Sequence, residues 1–295
     1  MIDPEYAGYL SVDGGKVWYR ENGSQFRDSE KSALIVLHGG PGGSHRRPLP
    51  ITALSDERRV IFYDQLDCGN SERPGDKKNW TIERYVSEID SVVKALNVTN
   101  YVLLGHSAGA SWTIPHAAKN PRGLTGLILS SPLVSTKIWL EDSQRLISTL
   151  ENNVRDEMFH AIENMSFESA EFKKANEVFE KIYYCRTELS SPEVMIDAPP
   201  FNFELYNYMW GPSEFHGTGT LKELDLSNYL PEIATPTLFV CGEYDLATPS
   251  ACENFSKLVE NAETRVVSDA AHCAYLERPD EYLGYLRHFL NGQDR

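Results

Sequence analysis

An α/β fold is predicted for this chain of 295 residues: a mostly parallel central sheet, helices on both faces and an inserted helical segment. Three observations carry the prediction. Apolar runs that are continuous rather than alternating recur in both halves of the chain, as strands buried on both faces require. Stretches of helical periodicity separate them. One run, Tyr101-Val-Leu-Leu, leads straight into Gly105-His-Ser-Ala-Gly109, a G-x-S-x-G turn between a strand and a helix.

The elements follow in order. Tyr9 to Tyr19 reads as a hairpin around Asp13-Gly14-Gly15. Ser32 to Leu37 is a buried strand that ends in the Gly-rich loop His38-Gly-Gly-Pro-Gly-Gly43, and Arg59 to Tyr63 is a second strand. Ile82, Tyr85, Val86, Ile89, Val92, Val93 and Leu96 fall on one helical face. The strand at Tyr101 and a helix to about Lys119 follow, with Pro115 expected to kink that helix. Gly126 to Ser130 is the next strand. The alternation then stops. From Val134 to Asn228 only helical periodicity appears, through Arg145, Leu146, Leu150, Met158, Phe159, Ile162, Phe172, Val178, Phe179 and Ile182. Strands resume at Thr235 to Cys241 and Thr264 to Ser268, with helices near Ser250 to Val259 and Pro279 to Leu290.

The formal charge of −15, from 43 acids against 28 bases, disfavours nucleic acid and anionic membranes as partners. The N-terminus lacks the basic start and apolar run of a secretion signal, and no stretch approaches the ~20 apolar residues of a membrane span. The five cysteines are odd in number and scattered, which fits reduced thiols and a cytoplasmic location better than a disulfide framework. No metal-ligand spacing occurs, and no Gly-Lys-Ser/Thr follows the Gly-rich loop, so neither a metal nor another cofactor is expected. No feature of the sequence fixes an oligomeric state.

The G-x-S-x-G turn would place the Ser107 hydroxyl at the tip of a strand–helix junction. A serine hydroxyl is a weak nucleophile and needs a base, which in turn needs an acid to hold its tautomer. Candidates follow the late strands in the order serine, acid, histidine: Asp245 in Gly242-Glu-Tyr-Asp245 and His272 in Asp269-Ala-Ala-His272. Both would lie past strand C-termini, where open α/β sheets keep their sites. Glu243 and Asp269 compete with Asp245 for the acid. His38 is expected to orient its own loop, His106 to point away from the turn, and Cys273 to point away from the site. The backbone N–H groups of Ala108 and Gly40 are the candidate donors to an oxyanion.

With these pieces assembled, the chain resembles α/β-hydrolases of the proline iminopeptidase type, especially the subgroup of the tricorn-interacting aminopeptidase. The resemblance rests on His38-Gly-Gly-Pro-Gly42, Phe62-Tyr-Asp-Gln65 with Cys68-Gly69 and Ser71, the turn at Ser107, Gly211-Pro-Ser-Glu-Phe215, Gly242-Glu-Tyr-Asp245 and His272. It implies an α/β-hydrolase core over 1–133 and 229–295 with a helical cap over 134–228. It also implies a serine hydrolase that releases an N-terminal residue, often proline, from small peptides or amides. Glu214 matches a family acid that binds the substrate's ammonium. A second family acid would stand where this chain has Leu246, and Glu243 is the candidate replacement. Ala108 stands where the family often has an aromatic residue, and Asp67 and Asn70 replace a Gly and an Arg of the DQ loop. These departures keep an esterase, lactonase or amidase open as the alternative. A non-catalytic receptor is disfavoured because every catalytic element is present. Tyr206, Trp210 and Phe215, in an aromatic-dense stretch from Phe201, either line an apolar substrate pocket or form the core of the cap.

Overall fold

The computed structural model describes residues 2–187 and 200–294. Its centre is an eight-stranded sheet in the order β1-β2-β4-β3-β5-β6-β7-β8. The hairpin is longer than the sequence expectation: β1 (Tyr6–Val12) and β2 (Gly15–Asn22) pair antiparallel, and Gly14 takes the left-handed turn position at φ 84°. β2 joins β4 (Val60–Tyr63) antiparallel, and from there every pairing is parallel through β3 (Ala33–Leu37), β5 (Tyr101–His106), β6 (Leu124–Ser130), β7 (Thr237–Gly242) and β8 (Ala262–Val267).

The continuous apolar runs are explained by two cores. On β3, Ala33, Ile35 and Leu37 face one core while Leu34 and Val36 face the other. The first core is covered by helices α1 (Ile82–Ala95) and α2 (Ala108–Ala118). α1 is started by Thr81, whose hydroxyl accepts the Arg84 N–H, and buries Tyr85, Ile89 and Val92. α2 stays one helix through Pro115, so the expected kink does not interrupt it. The second core is sealed by the closing helix, Pro279–Gln293, through Tyr282, Leu286 and Leu290.

Between β6 and β7 the chain leaves the sheet. It forms α3 (Thr136–Ser148), α4 (Asn152–Asn164), α5 (Ala170–Phe179), a wide π turn over Glu180–Tyr184, and α6 (Phe203–Met209). Met158, Phe172 and Phe179 are buried inside this insertion, whereas Val178 is 39% exposed and belongs to its surface. The chain is stitched together where it leaves and re-enters the core: Leu226 N–H donates to the Val134 carbonyl and Thr136 N–H to that of Leu224, both at 2.9 Å. Helix α7 (Pro249–Ser256) follows β7. A four-residue helix, α8 (Ala274–Glu277), which the sequence did not reveal, follows β8, and the closing helix is α9.

Candidate active site

β5 lies between β3 and β6 and ends at His106, so the next residue stands at the C-terminal edge of the sheet. Ser107 holds φ 55° and ψ −123°, a conformation that costs an L-residue about 1–3 kcal/mol. Close packing forces the turn. A Cβ on Gly105 would fall 2.6 Å from Thr113 Oγ1, and one on Gly109 would fall 2.6 Å from the Leu37 carbonyl oxygen. The N–H of Ser107 donates to the Ser130 carbonyl at 2.9 Å, and its carbonyl accepts from Leu133 and Ala110. The strained residue is therefore over-determined by its neighbours.

Asp245 and His272 arrive from the turns after β7 and β8. His272 Nδ1 lies 2.8 Å from Asp245 Oδ1. That carboxylate is buried and fully occupied. Oδ1 also accepts the Ala247 N–H at 2.8 Å, while Oδ2 accepts the Ser131 hydroxyl at 2.6 Å and the Gly242 N–H at 3.2 Å. With four donors on it, the carboxylate is fixed in orientation facing the imidazole. Tyr184 stacks on His272 with centroids 5.4 Å apart at 29°, and Trp139 meets the imidazole edge-on at 5.7 Å. Ser107 and His272 open into one cavity of about 440 Å³.

The Gly-rich loop closes over Ser107. A Cβ on Gly39 would come 2.8 Å from the Ser107 Cβ, so this approach needs glycine. Gly40, at φ 131°, also borders the cavity, and Ala108 is the first residue of α2, whose N–H has no intrahelical acceptor. His38 orients the loop: Nε2 accepts the Gln65 N–H at 3.2 Å, so Nδ1 carries the proton and donates to the Gly39 carbonyl at 2.8 Å. Burial lowers the His38 pKa and keeps the ring neutral. Asp64 clamps the other side, accepting the N–H groups of His45 and Asn70.

Several placements differ from the sequence expectation. His106 does not point away. Its ring lies 4.9 Å from that of His272 and borders the cavity, and burial, with His272 and Arg47 adding to it, holds it neutral. Cys273, by contrast, stays out of the cavity lining as expected: it is buried, and its Sγ accepts from the Tyr275 hydroxyl at 3.8 Å. Glu243 is exposed outside the cavity, where its carboxylate accepts the Asp269 N–H at 2.9 Å, so it does not replace the family acid. The backbone turn that points Asp245 inward points Glu243, two residues earlier, outward. Leu246 does line the cavity and leaves that wall apolar.

Glu214, Tyr206 and Phe215 line the cavity, and Tyr206 donates its hydroxyl to Glu214 Oε1 at 2.6 Å. Burial raises the Glu214 pKa, partly offset by that hydroxyl, His272 and Arg47. Trp210 stands behind the lining, its indole N–H donating to the Ser213 carbonyl and its ring packed on Trp139. The cavity also holds Arg47, Glu180 and Tyr184, which the sequence reading did not select. Only their positions in the folded loops reveal them. Ser131 had a readable signal, since it directly follows β6, where the sequence offered no acid.

The profile of the α/β-hydrolase fold family matches residues 32–279. A proline iminopeptidase of Heyndrickxia coagulans is 39% identical over 289 residues, covering 96% of this chain and 98% of that one. The crystal structure of Mycobacterium smegmatis proline iminopeptidase superposes with a TM-score of 0.88 at 29% identity, over 98% of this chain and 99% of that one. That of VinJ does so with a TM-score of 0.90, also at 29% identity, over 99% and 100%. The chain belongs to the α/β-hydrolase fold family and, within it, to the proline iminopeptidases.

Proposed function

We propose that the protein is a serine aminopeptidase that removes the N-terminal residue, proline foremost, from short peptides and amides. In this reading Ser107 Oγ attacks the scissile carbonyl while His272 Nε2 takes its proton, and Asp245 holds the imidazole from the other side. The oxyanion is received by the N–H groups of Gly40 and Ala108. The C–N bond breaks as His272 returns the proton to the leaving amine, and water then cleaves the acyl-enzyme by the same route. The segment 134–228 serves as the cap that closes the site from water. The free buried thiols fit the cytoplasmic location expected from the sequence.

One observation carries the specificity. Glu214 is half-buried in the cavity that holds Ser107, and it is braced by Tyr206. A carboxylate there selects a cation, so it registers a substrate by its free α-ammonium. Glu180, in the same cavity, supplies the second negative charge that Leu246 does not. Aromatic rings from Phe172, Phe179 and Phe215 offer an apolar bed for the N-terminal side chain. The relatives named proline iminopeptidases support proline as that residue.

The apolar Leu246 favours one competing reading, an esterase or lactonase on the same machinery. A fluorophosphonate probe followed by intact-mass analysis tests the chemistry: one adduct on the wild type and none on Ser107→Ala is expected. Turnover of aryl esters at rates far above every free-amine anilide would favour the competing reading.

A further inference from the structure

The cavity holds a cation that amine recognition leaves unused. Arg47 lies four residues past the Gly-rich loop that follows β3 and borders the cavity shared by Ser107 and His272. Among the described residues it makes no ion pair; its guanidinium stands over the Tyr184 ring, 5.3 Å from the centroid. Tyr184 is in turn stacked on His272 at 5.4 Å. The positive charge is therefore placed on the His272 flank of the cavity, and its field reaches the carboxyl of Glu214.

That flank has a defined chemical use. The leaving amine must meet His272 to receive its proton, so the residue released as the leaving group lies against the imidazole. In a dipeptide the carbon that bears this nitrogen also bears the C-terminal carboxylate. We propose that Arg47 binds the carboxylate of the leaving residue and makes the site selective for dipeptides. The substrate is then held at both ends: its ammonium at Glu214 and its carboxylate at Arg47.

The dimensions agree. A hydrogen bond to the imidazole, two covalent bonds to the carboxylate carbon and a second hydrogen bond to a guanidinium span roughly 9–10 Å. The two stacking steps of 5.4 Å and 5.3 Å through Tyr184 put an upper bound on the separation of the His272 and Arg47 centres, and that bound admits this span. A longer peptide puts its carboxylate roughly 3.5 Å farther away per residue, beyond this reach. An arginine also suits the task, since its planar fork matches a carboxylate with two parallel bonds.

The inference rests on the aminopeptidase reading, and the test separates the two. kcat/KM is measured for prolyl-alanine, its C-terminal amide and prolyl 4-nitroanilide, with the wild type, Arg47→Lys and Arg47→Met. A charge-assisted hydrogen bond at a partly open site supports an acid-over-amide preference of about tenfold or more in the wild type. That ratio is expected to fall to a few-fold in Arg47→Lys and to near one in Arg47→Met. A wild-type ratio near one, or one unchanged in both variants, overturns the role of Arg47 while anilide cleavage leaves the aminopeptidase reading standing. Failure to cleave the anilide and both peptides overturns the reading, and the inference with it. Should Arg47→Met not fold, the wild-type and Arg47→Lys ratios decide alone.

Discussion

Replacing Ser131 by alanine tests how the acid of the site is held. Its hydroxyl donates 2.6 Å to Asp245 Oδ2 in a fully buried setting, and the same oxygen also lies 3.3 Å from the His272 carbonyl. Losing one hydrogen bond to a buried charge costs about 1.5–3 kcal/mol. For a chain of this size that lowers Tm by about 3–5 °C. Alanine keeps the Cβ and so leaves the left-handed backbone of Ser131, φ 48°, as it was. Asp245 Oδ2 would retain only the long 3.2 Å bond from Gly242, and the carboxylate is free to turn about the Oδ1 bonds to Ala247 and His272. If about half of the lost energy appears as misorientation of the imidazole, kcat falls about 3- to 12-fold, because each 1.4 kcal/mol is a factor of ten. Scanning calorimetry and kcat on a prolyl anilide measure both effects. A lower Tm with unchanged kcat would refute the positioning role, leaving Ser131 as a packing residue only.

Other outcomes follow from named groups. Glu214→Gln is expected to lower kcat/KM for free-amine anilides about 30–100-fold, with far less effect on N-acetylated esters; equal losses on both would exclude an ammonium contact. Because burial raises the Glu214 pKa, preference for amine substrates over uncharged esters should be lost as pH falls through a value above the usual carboxylate range. A ratio independent of pH would contradict this. Glu88 is buried beside Arg84 at 3.3 Å, and burial pushes its carboxyl from 4.5 up to about 8. The folded state thus holds this proton more tightly than the unfolded chain, which gives stability that is full below pH 4.5 and lost as pH rises through about 8. Glu88→Gln removes that slope, so Tm of wild type relative to Glu88→Gln should decline from pH 5 to 8; parallel Tm curves would refute it.

The strands could be read from sequence because burial on both faces leaves a continuous apolar signature, as in Leu34 to Leu37. Chain order then put Ser107, Asp245 and His272 past strand ends, and the structure brings these residues together at one sheet edge. The walls of the cavity were not legible. Glu180 and Tyr184 sit at the two ends of a π turn and Arg47 on a loop, and no periodicity marks residues whose positions depend on distant packing. Glu243 misled because a sequence shows that an acid is near Asp245 without showing which way the turn points it. His106 was misplaced for the same reason: adjacency to Ser107 said nothing of the gap beside His272 that its ring fills.

The central claim is that a serine nucleophile and a carboxylate that reads the free amine share one cavity. The most direct test is the ratio of kcat/KM for prolyl 4-nitroanilide to that for its N-acetyl derivative, with Ser107→Ala as the blank. A ratio of about 100 or more is expected, since acetylation removes a charge-assisted contact worth roughly 3 kcal/mol, together with no Ser107→Ala turnover above background. Equal cleavage of the two anilides by the wild type would contradict it.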